Sequence, residues 1–442
     1  MNIITIDCGA SFLKGALFED EHLVKKTQRQ APKVNTNDWH VPTQINYLMD
    51  AVRSMFRELS QGYSEVVLCI SNEMHGFILI DEDGNSYTDY ISWQMEFGNV
   101  PLAGKNGMTS LQMLSAEKYR DEIMKSGMPL RAGLPNVNLL YLQHNLPWDK
   151  KKGLLRFFTL GDYILYGLSG KISCCHPTNA AATGLMDLET GTWNKEMVAL
   201  TAGTKIQFPE VGTGGISFGF EGVNVYALPA VGDQQAALLG AGLKEKNEIS
   251  FNLGTGAQVS CLVDGLDFSD EYQIRPYFAG KYLKTIPHLP SGRALNVYFR
   301  FIKEIAAKFC PDIDDNNIWK GILNSVDHCD GSGMKCDLSF FANPITTRTK
   351  GSISNIGEFD FSVGNLFETI FRQMVDNFMM AAGIITSGDC NITKIVFSGG
   401  IARKIPFIRE EILKHYHADV EISIGKDETL YGLALYAKEY RQ

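Results

Sequence analysis

No apolar run in this chain approaches the length needed to cross a bilayer, which argues against a helical membrane span. It does not open on a basic stretch followed by an apolar segment and a small-residue cleavage site. No secretory leader is therefore expected, and the cytoplasm is the expected location. No CxxC pair occurs among the nine cysteines, whose number is odd, and the adjacent Cys174-Cys175 make a poor zinc arrangement. Reduced thiols serving as small core residues are the expectation. An excess of positive charge is also missing: 41 Lys and Arg against 50 Asp and Glu leave a net charge of -9. That balance argues against a general nucleic-acid binder. It leaves room for a phosphate ligand, which local dipoles and a metal can hold.

A length of 442 residues exceeds what one hydrophobic core usually serves, and 45% hydrophobic with 21% charged residues is a globular composition, so two domains are expected. One pattern occurs twice. Ile3 to Phe18 reads as an apolar strand, a small-residue turn and a second strand, and Ile249 to Leu262 reads the same way. With Gly9 aligned on Gly254, Asp7 faces Asn252 and Ser11 faces Gly256. Turns of this kind leave backbone N–H groups open to an anion, since no side chain blocks the approach. Two of them suggest two related domains gripping one polyphosphate.

Elsewhere, helical spacing predicts helices at 43–60, over 110–147 with breaks near Gly127 and Pro135, at 155–168 ending at Gly170, and at 363–387. Strands are expected at 66–70, 77–80, 225–228 and 395–397, with strands and turns over 171–193. A small-residue helix follows Gly232-Asp233, and another helix starts near Pro406. The polar stretch Lys244 to Glu248 marks a boundary, giving domains 1–245 and 246–442. Strands followed by helices in both halves point to an α/β fold with mixed sheets and a cleft between domains.

The candidate chemistry has competing structural readings. Asp7, closing a buried strand beside Gly9, suits Mg²⁺ through oxygen ligation, or simply caps its own turn. Asp233, opening a helix after Val231-Gly232, suits a general base for a hydroxyl proton, or is an N-cap. Gly399-Gly400 admits a flat adenosine against the backbone, or makes a tight strand-to-helix turn. Met74 and His75 suit a polyol, or a structural histidine between strands. Trp93 suits stacking on a sugar, or partial burial. Lys14, Arg403 and Lys404 are phosphate contacts or solvated charges.

Taken in order, these segments resemble the FGGY carbohydrate kinases of the actin-like ATPase superfamily. Asp7-Cys8-Gly9-Ala10-Ser11 with Lys14 looks like the first phosphate motif. Met74-His75-Gly76, Asp81 to Gly84 and Trp93 look like the sugar-contacting stretch. Gly161 to Gly170, Thr183 to Asp187, Thr192-Trp193 and Phe208 to Val211 look like the family's middle region. Gly232-Asp233-Gln234 looks like the segment bearing the base. Gly254-Thr255-Gly256 is similar to the second phosphate motif, and Ser398-Gly399-Gly400 with Ala402-Arg403 to the adenosine motif.

The resemblance implies two actin-like (ribonuclease H-like) domains, each a mixed sheet flanked by helices, with the active site in the cleft between them. The N-terminal domain would bind sugar and carry the base, and the C-terminal domain would bind nucleotide. It implies transfer of the ATP γ-phosphate to a sugar hydroxyl with Mg²⁺ near Asp7, Asp233 as base, and Met74, His75, Trp93, Asp233 and Gln234 at the sugar. ATP would meet Gly9, Ala10, Ser11, Lys14, Gly254, Thr255, Gly256, Gly399, Gly400 and Arg403. Met74-His75 stand where glycerol kinases carry an Arg-Glu pair, which argues against glycerol. The runs Gly254 to Ser260, Ile274-Arg275-Pro276, Tyr282-Leu283 and Ser291 to Ala294 look most like sedoheptulokinase-type members, with xylulokinases next. Departures lie at Ala10, Glu73, Gln94 to Phe97 and Lys404. The expected partner is a small sugar, with no nucleic acid and no membrane, and a homodimer is kept open. The rival readings are an actin- or chaperone-like ATP switch and a non-catalytic sugar sensor.

Overall fold

The computed structural model describes residues 1–33, 43–146, 153–387, 391–423 and 427–440. The chain forms two units, and each is discontinuous in sequence. The first comprises Met1–Gly240, Asp264–Tyr282 and Lys426–Gln442, and the second Ala241–Val263 and Leu283–Gly425.

The main sheet of the first unit grows from the N-terminal hairpin. Asn2–Cys8 pairs antiparallel with Phe12–Glu19, which pairs with His22–Gln30. On its other side Asn2–Cys8 pairs parallel with Glu65–Asn72. Both central strands are buried almost throughout, as expected of strands covered on both faces. Helix Thr43–Ser60 lays Ile45, Leu48, Met49, Val52 and Met55 against Ile4, Ile6, Leu13 and Leu17. A second core, around Phe77, Leu79, Leu139 and Phe157, fills the rest of this unit.

Three expectations are corrected here. The 155–168 stretch divides into a strand, Leu155–Thr159, and a helix, Leu160–Ser169. Phe77–Ile80 recruits the strand as its antiparallel partner, and Thr159 with Asp162 makes a reciprocal capping box that starts the helix afterwards. Gly170 then ends it in the left-handed region, at φ 66°. Within 171–193, Pro177–Ala181 is helical, with proline in its first turn and His176 accepting from the Thr178 amide. The 110–147 stretch contains short helices Ser110–Leu114, Arg120–Met124 and Pro135–Asn145, and position 147 lies outside the described residues. Of the eight described cysteines, all free, Cys310 is exposed rather than a core residue.

The second unit repeats the first hairpin's pairing scheme. Glu248–Leu253 pairs antiparallel with Ala257–Val263 and parallel with Lys394–Ser398, which pairs parallel with Asp419–Ile422. Helix Val363–Thr386 covers this sheet with Phe371, Met374 and Phe378, all fully buried. Among the described residues, no helix is long and apolar enough to cross a membrane.

One helix crossing in the first unit depends on absent side chains. Helices Asp233–Ala241 and Glu428–Tyr440 meet at Gly240 and Gly432. A Cβ on Gly432 would stand 1.9 Å from the Ala236 carbonyl oxygen, and one on Gly240 would stand 1.8 Å from that of Glu428. Both obstacles are backbone, so the helices would have to separate. Gly432→Ala is expected to cost roughly 2–3 kcal/mol of stability, the upper part of the usual overpacking range, despite alanine's better helix propensity. Urea unfolding of the two proteins measures this, and an unchanged midpoint would disprove the tight crossing.

Candidate active site

Register brings the acidic residues of the first unit together. Asp7 pairs with Ser71 on the neighbouring parallel strand. Val231 pairs with Ser71 from the other side, in the two-residue strand Val231–Gly232. Asp7 and Asp233 thus stand at the carboxyl ends of strands flanking one common neighbour, where open α/β sheets place ligands.

The Pro177–Ala181 helix holds the Asp233 turn. The Gly232 amide donates to the Thr178 hydroxyl at 3.0 Å. Asn179 Nδ2 donates to the Ala230 carbonyl and to Asn72 Oδ1, both at 2.9 Å. Asp233 begins its helix, and its Oδ1 accepts from the Gln234 amide at 2.7 Å. That contact is with the adjacent amide, not with the second or third amide that an N-cap side chain would reach.

Burial raises the pKa of Asp7 to about 7, and the nearby Asp233 carboxylate adds to it. Ser71, donating to Asp7 Oδ1 at 2.9 Å, offsets part of the rise, as does Lys14. Burial also raises Asp233, to about 6, against the opposing Gln234 amide; Glu73 adds to the rise and Arg275 opposes it. Glu73 is itself raised, chiefly by burial. Among the described residues, no group of three or more His, Cys, Asp or Glu side chains is arranged to hold a metal. A cation at Asp7 would have little else from these residues and would keep water and phosphate ligands, which suits Mg²⁺.

Met74 is buried against Gly232, where a Cβ would stand 2.4 Å from its sulfur. His75 adopts a left-handed backbone, φ 66°, and its Nδ1 lies 2.7 Å from the Ala182 carbonyl oxygen. A non-glycine residue held in that region is strained, a condition that collects at functional sites. Trp93 is 47% exposed and flanks Glu73. Gln234 accepts a hydrogen bond from Arg275, and its Nε2 is buried without a partner. Gly9 is half-buried at the turn, with Ala10 and Ser11 exposed beside it. Lys14 pairs with Asp427 at 3.2 Å, and Lys26 pairs with the same carboxylate oxygen at 3.0 Å. Asn72, Thr178 and Asn179 carry no role in the sequence reading of this site, and Glu73 and Arg275 enter it only as a departure and as part of a resembling run. Their convergence arises from sheet register and the packing of separate elements, which no local pattern reports.

In the second unit, Gly254-Thr255-Gly256 connects the hairpin strands. The Gly292 and Arg293 amides donate to the Gly254 and Thr255 carbonyls at 3.1 and 2.8 Å, and Ser291 Oγ donates to the Gly254 carbonyl at 3.0 Å. Gly399 has φ 88°, and a Cβ there would meet the Leu253 carbonyl oxygen at 2.5 Å. It packs the two motifs together. A cavity of about 830 Å³ opens beside them, lined by Gly254, Thr255, Gly400, Asn296, Trp319 and Lys404 among others. That volume lies within the range of small-molecule sites and accommodates a nucleotide. Gly256, Gly399 and the exposed Arg403 do not line it.

The raised pKa of Asp233 has a measurable cost. Its folded value lies above the ordinary 3.8, so the burial penalty on the ionised form develops as pH rises from about 4 to about 6 and persists above. Asp233→Asn lacks that charge. The variant is expected to match the parent near pH 4 and to exceed its stability at pH 8 by roughly 1–3 kcal/mol, allowing for partial exposure. Urea unfolding at both pH values checks this; a variant less stable at pH 8 would contradict a desolvated carboxylate.

Comparison with known proteins agrees with this architecture. Residues 2–240 match the family model described as FGGY family of carbohydrate kinases, N-terminal domain. A glycerol kinase of Limosilactobacillus reuteri is 24% identical over 273 residues, covering 58% of this chain and 53% of the relative. A glycerol kinase of Aquifex aeolicus is 26% identical over 269 residues, covering 58% of this chain and 52% of the relative. The chain thus spans about half the length of the curated relatives it matches. Among solved structures, a gluconate kinase from Lactobacillus acidophilus superposes with a TM-score of 0.81 at 18% identity, covering 99% of this chain and 89% of that one. A ligand-bound xylulose kinase from the same species gives 0.80 at 19% identity, covering 100% and 90%. Plasmodium falciparum glycerol kinase with ADP gives 0.79 at 18%, covering 98% and 88%. These likenesses establish the fold as α/β with two actin-like domains. With the family model matched over more than half of its length, the chain belongs to the FGGY family of carbohydrate kinases.

Proposed function

We propose that this protein transfers the γ-phosphoryl group of ATP to a hydroxyl of a small polyhydroxy acceptor. The observation that carries the reading is the pair of desolvated carboxylates, Asp7 and Asp233, at the ends of strands flanking Ser71 in a chain of this family. Asp233 accepts the proton of the attacking hydroxyl while that oxygen bonds to phosphorus and the bond to ADP breaks. Mg²⁺ bound at Asp7 would offset charge on the phosphates. A cation there would also favour the ionised form of Asp7, whose burial otherwise favours the neutral one. Gly9, Ala10, Ser11 and Lys14 in residues 1–245, and Gly254, Thr255, Gly256, Gly399, Gly400 and Arg403 in residues 246–442, form the ATP-binding set. The 830 Å³ cavity is the natural place for the base and ribose. Met74, His75, Trp93 and Gln234 face the acceptor.

Relatives and structural neighbours named as glycerol, xylulose and gluconate kinases span polyols, ketoses and sugar acids. The sequence favours a ketose, seven-carbon first and xylulose second, on the runs from Gly254 to Ser260 and Ile274 to Pro276. A panel of pentuloses, heptuloses, polyols and sugar acids is expected to contain an acceptor that raises ADP release above background. Release indifferent to every member would favour an ATP switch or a sensor. Asp233→Asn is expected to lower the acceptor-dependent rate by about 10²–10⁴-fold with ATP affinity retained. Because the base must be ionised, kcat of the parent should rise through about pH 6. Full turnover by the variant would remove Asp233 from the mechanism.

A further inference from the structure

The lysine that follows the first phosphate turn already holds an anion of its own unit. Lys14 lies opposite Asp7 in the hairpin register. On its other side Lys14 faces Gln28, and Ala16 faces Lys26. Residues directly opposite one another, or two apart along a strand, share one face of a sheet. Asp7, Lys14 and Lys26 therefore stand on the same face.

The carboxylate that meets them comes from the far end of the chain. Helix Glu428–Tyr440 packs on strands Asn2–Cys8, Phe12–Glu19 and Glu65–Asn72. Asp427 immediately precedes this helix, and its carbonyl accepts from the Tyr431 amide at 3.0 Å. The docked helix thereby brings the Asp427 side chain to both lysines. One oxygen, Oδ2, lies 3.2 Å from Lys14 Nζ and 3.0 Å from Lys26 Nζ.

The Asp427 side chain is only 14% exposed, against 32% for Lys14 and 43% for Lys26. Water screens an ion pair on the open surface, and shielding strengthens it. Burial acts against the Asp427 charge, but the two lysines outweigh burial and hold the carboxyl below its ordinary range. Two ammonium groups on one carboxylate leave a net positive charge. If Lys14 turns away, Lys26 remains and Asp427 is still paired. Lys14 can then leave without stranding a shielded charge, which is the usual penalty for breaking such a pair.

We propose that Asp427 is the resting counterion of Lys14, an internal competitor that the phosphates of the nucleotide displace, and that Lys26 keeps Asp427 neutralised after the exchange. This rests on the kinase reading, which makes Lys14 a phosphate contact. No covalent bond changes: an ammonium group passes from a carboxylate to a phosphate oxygen. Asp427 stays behind as a nearby anion, and it opposes a nucleotide more strongly the more charge that nucleotide carries.

The test measures dissociation constants of ATP, ADP and adenosine by calorimetry, with Mg²⁺ and no acceptor, on the full chain. The parent is compared with Asp427→Asn, Asp427→Ser and Lys26→Met. Asn and Ser both suit a helix start, so the helix is kept, and urea midpoints verify this. Each Asp427 variant is expected to bind ATP roughly three- to tenfold more tightly, ADP by a smaller factor, and adenosine as the parent does. In a Lys14→Met background the gain from Asp427→Asn should fall below about twofold. Lys26→Met should weaken ATP binding about threefold, because Asp427 is left unpaired by the exchange. ATP affinity unchanged or reduced in both Asp427 variants overturns the proposal and leaves the kinase reading standing. So does a gain that extends equally to adenosine, or a Lys26→Met that binds ATP like the parent. Tighter ATP binding in the Asp427 variants, with no acceptor raising ADP release, upholds the counterion and sinks the transfer reading. A parent that does not bind ATP overturns both.

Discussion

The pair of buried carboxylates in the first unit depends on one register. A parallel strand ending at Ser71 and Asn72 is flanked by the strand ending at Asp7 and Cys8 and by the short strand Val231–Gly232. A shift of one residue would turn Asp7 to the opposite face of the sheet. The register is secured by apolar packing on both faces, with Ile4, Ile6, Leu68 and Ile70 in one core with the Thr43–Ser60 helix. The two carboxylates are then forced into a desolvated environment that neither would choose alone. That cost is borne by the hydrophobic cores around them, a common arrangement at sites whose groups must change protonation or bind a cation.

The hairpin repeat is a repeat of pairing as well as sequence. In each unit the first hairpin strand pairs antiparallel with the next strand and parallel with a strand that returns later. The copies differ where chemistry would differ. The first turn carries a buried carboxylate at Asp7, whereas the second carries Asn252 and lies against the Gly292-Arg293 amides and an open cavity.

Much of the fold was legible because local and global preferences agree. The 43–60 and 363–386 helices and both hairpins follow from apolar periodicity, and the structure has them where periodicity puts them. The stretch from 155 to 193 was misread for the opposite reason. Leu155–Thr159 has spacing compatible with a helix, but Phe77–Ile80 offers a strand edge, and tertiary pairing decides. Pro177–Ala181 is too short for periodicity to register, and its proline and histidine cap are the only local signals.

The site divides along the same line. Asp7, the glycine turns and the Gly232-Asp233-Gln234 segment are visible in the sequence because each is a short local pattern with a backbone reason: a strand end, a turn, a helix start. Sequence by itself determined these pieces, their order and the family they belong to. Only the tertiary structure decided which of them share a neighbour strand. It also decided that Asn72, Thr178 and Asn179 hold the Asp233 turn, and that Arg275 reaches Gln234 from 41 positions further along the chain. Those contacts have no sequence period. They arise from packing of separate elements, and their energies depend on burial, which no local window of residues reports.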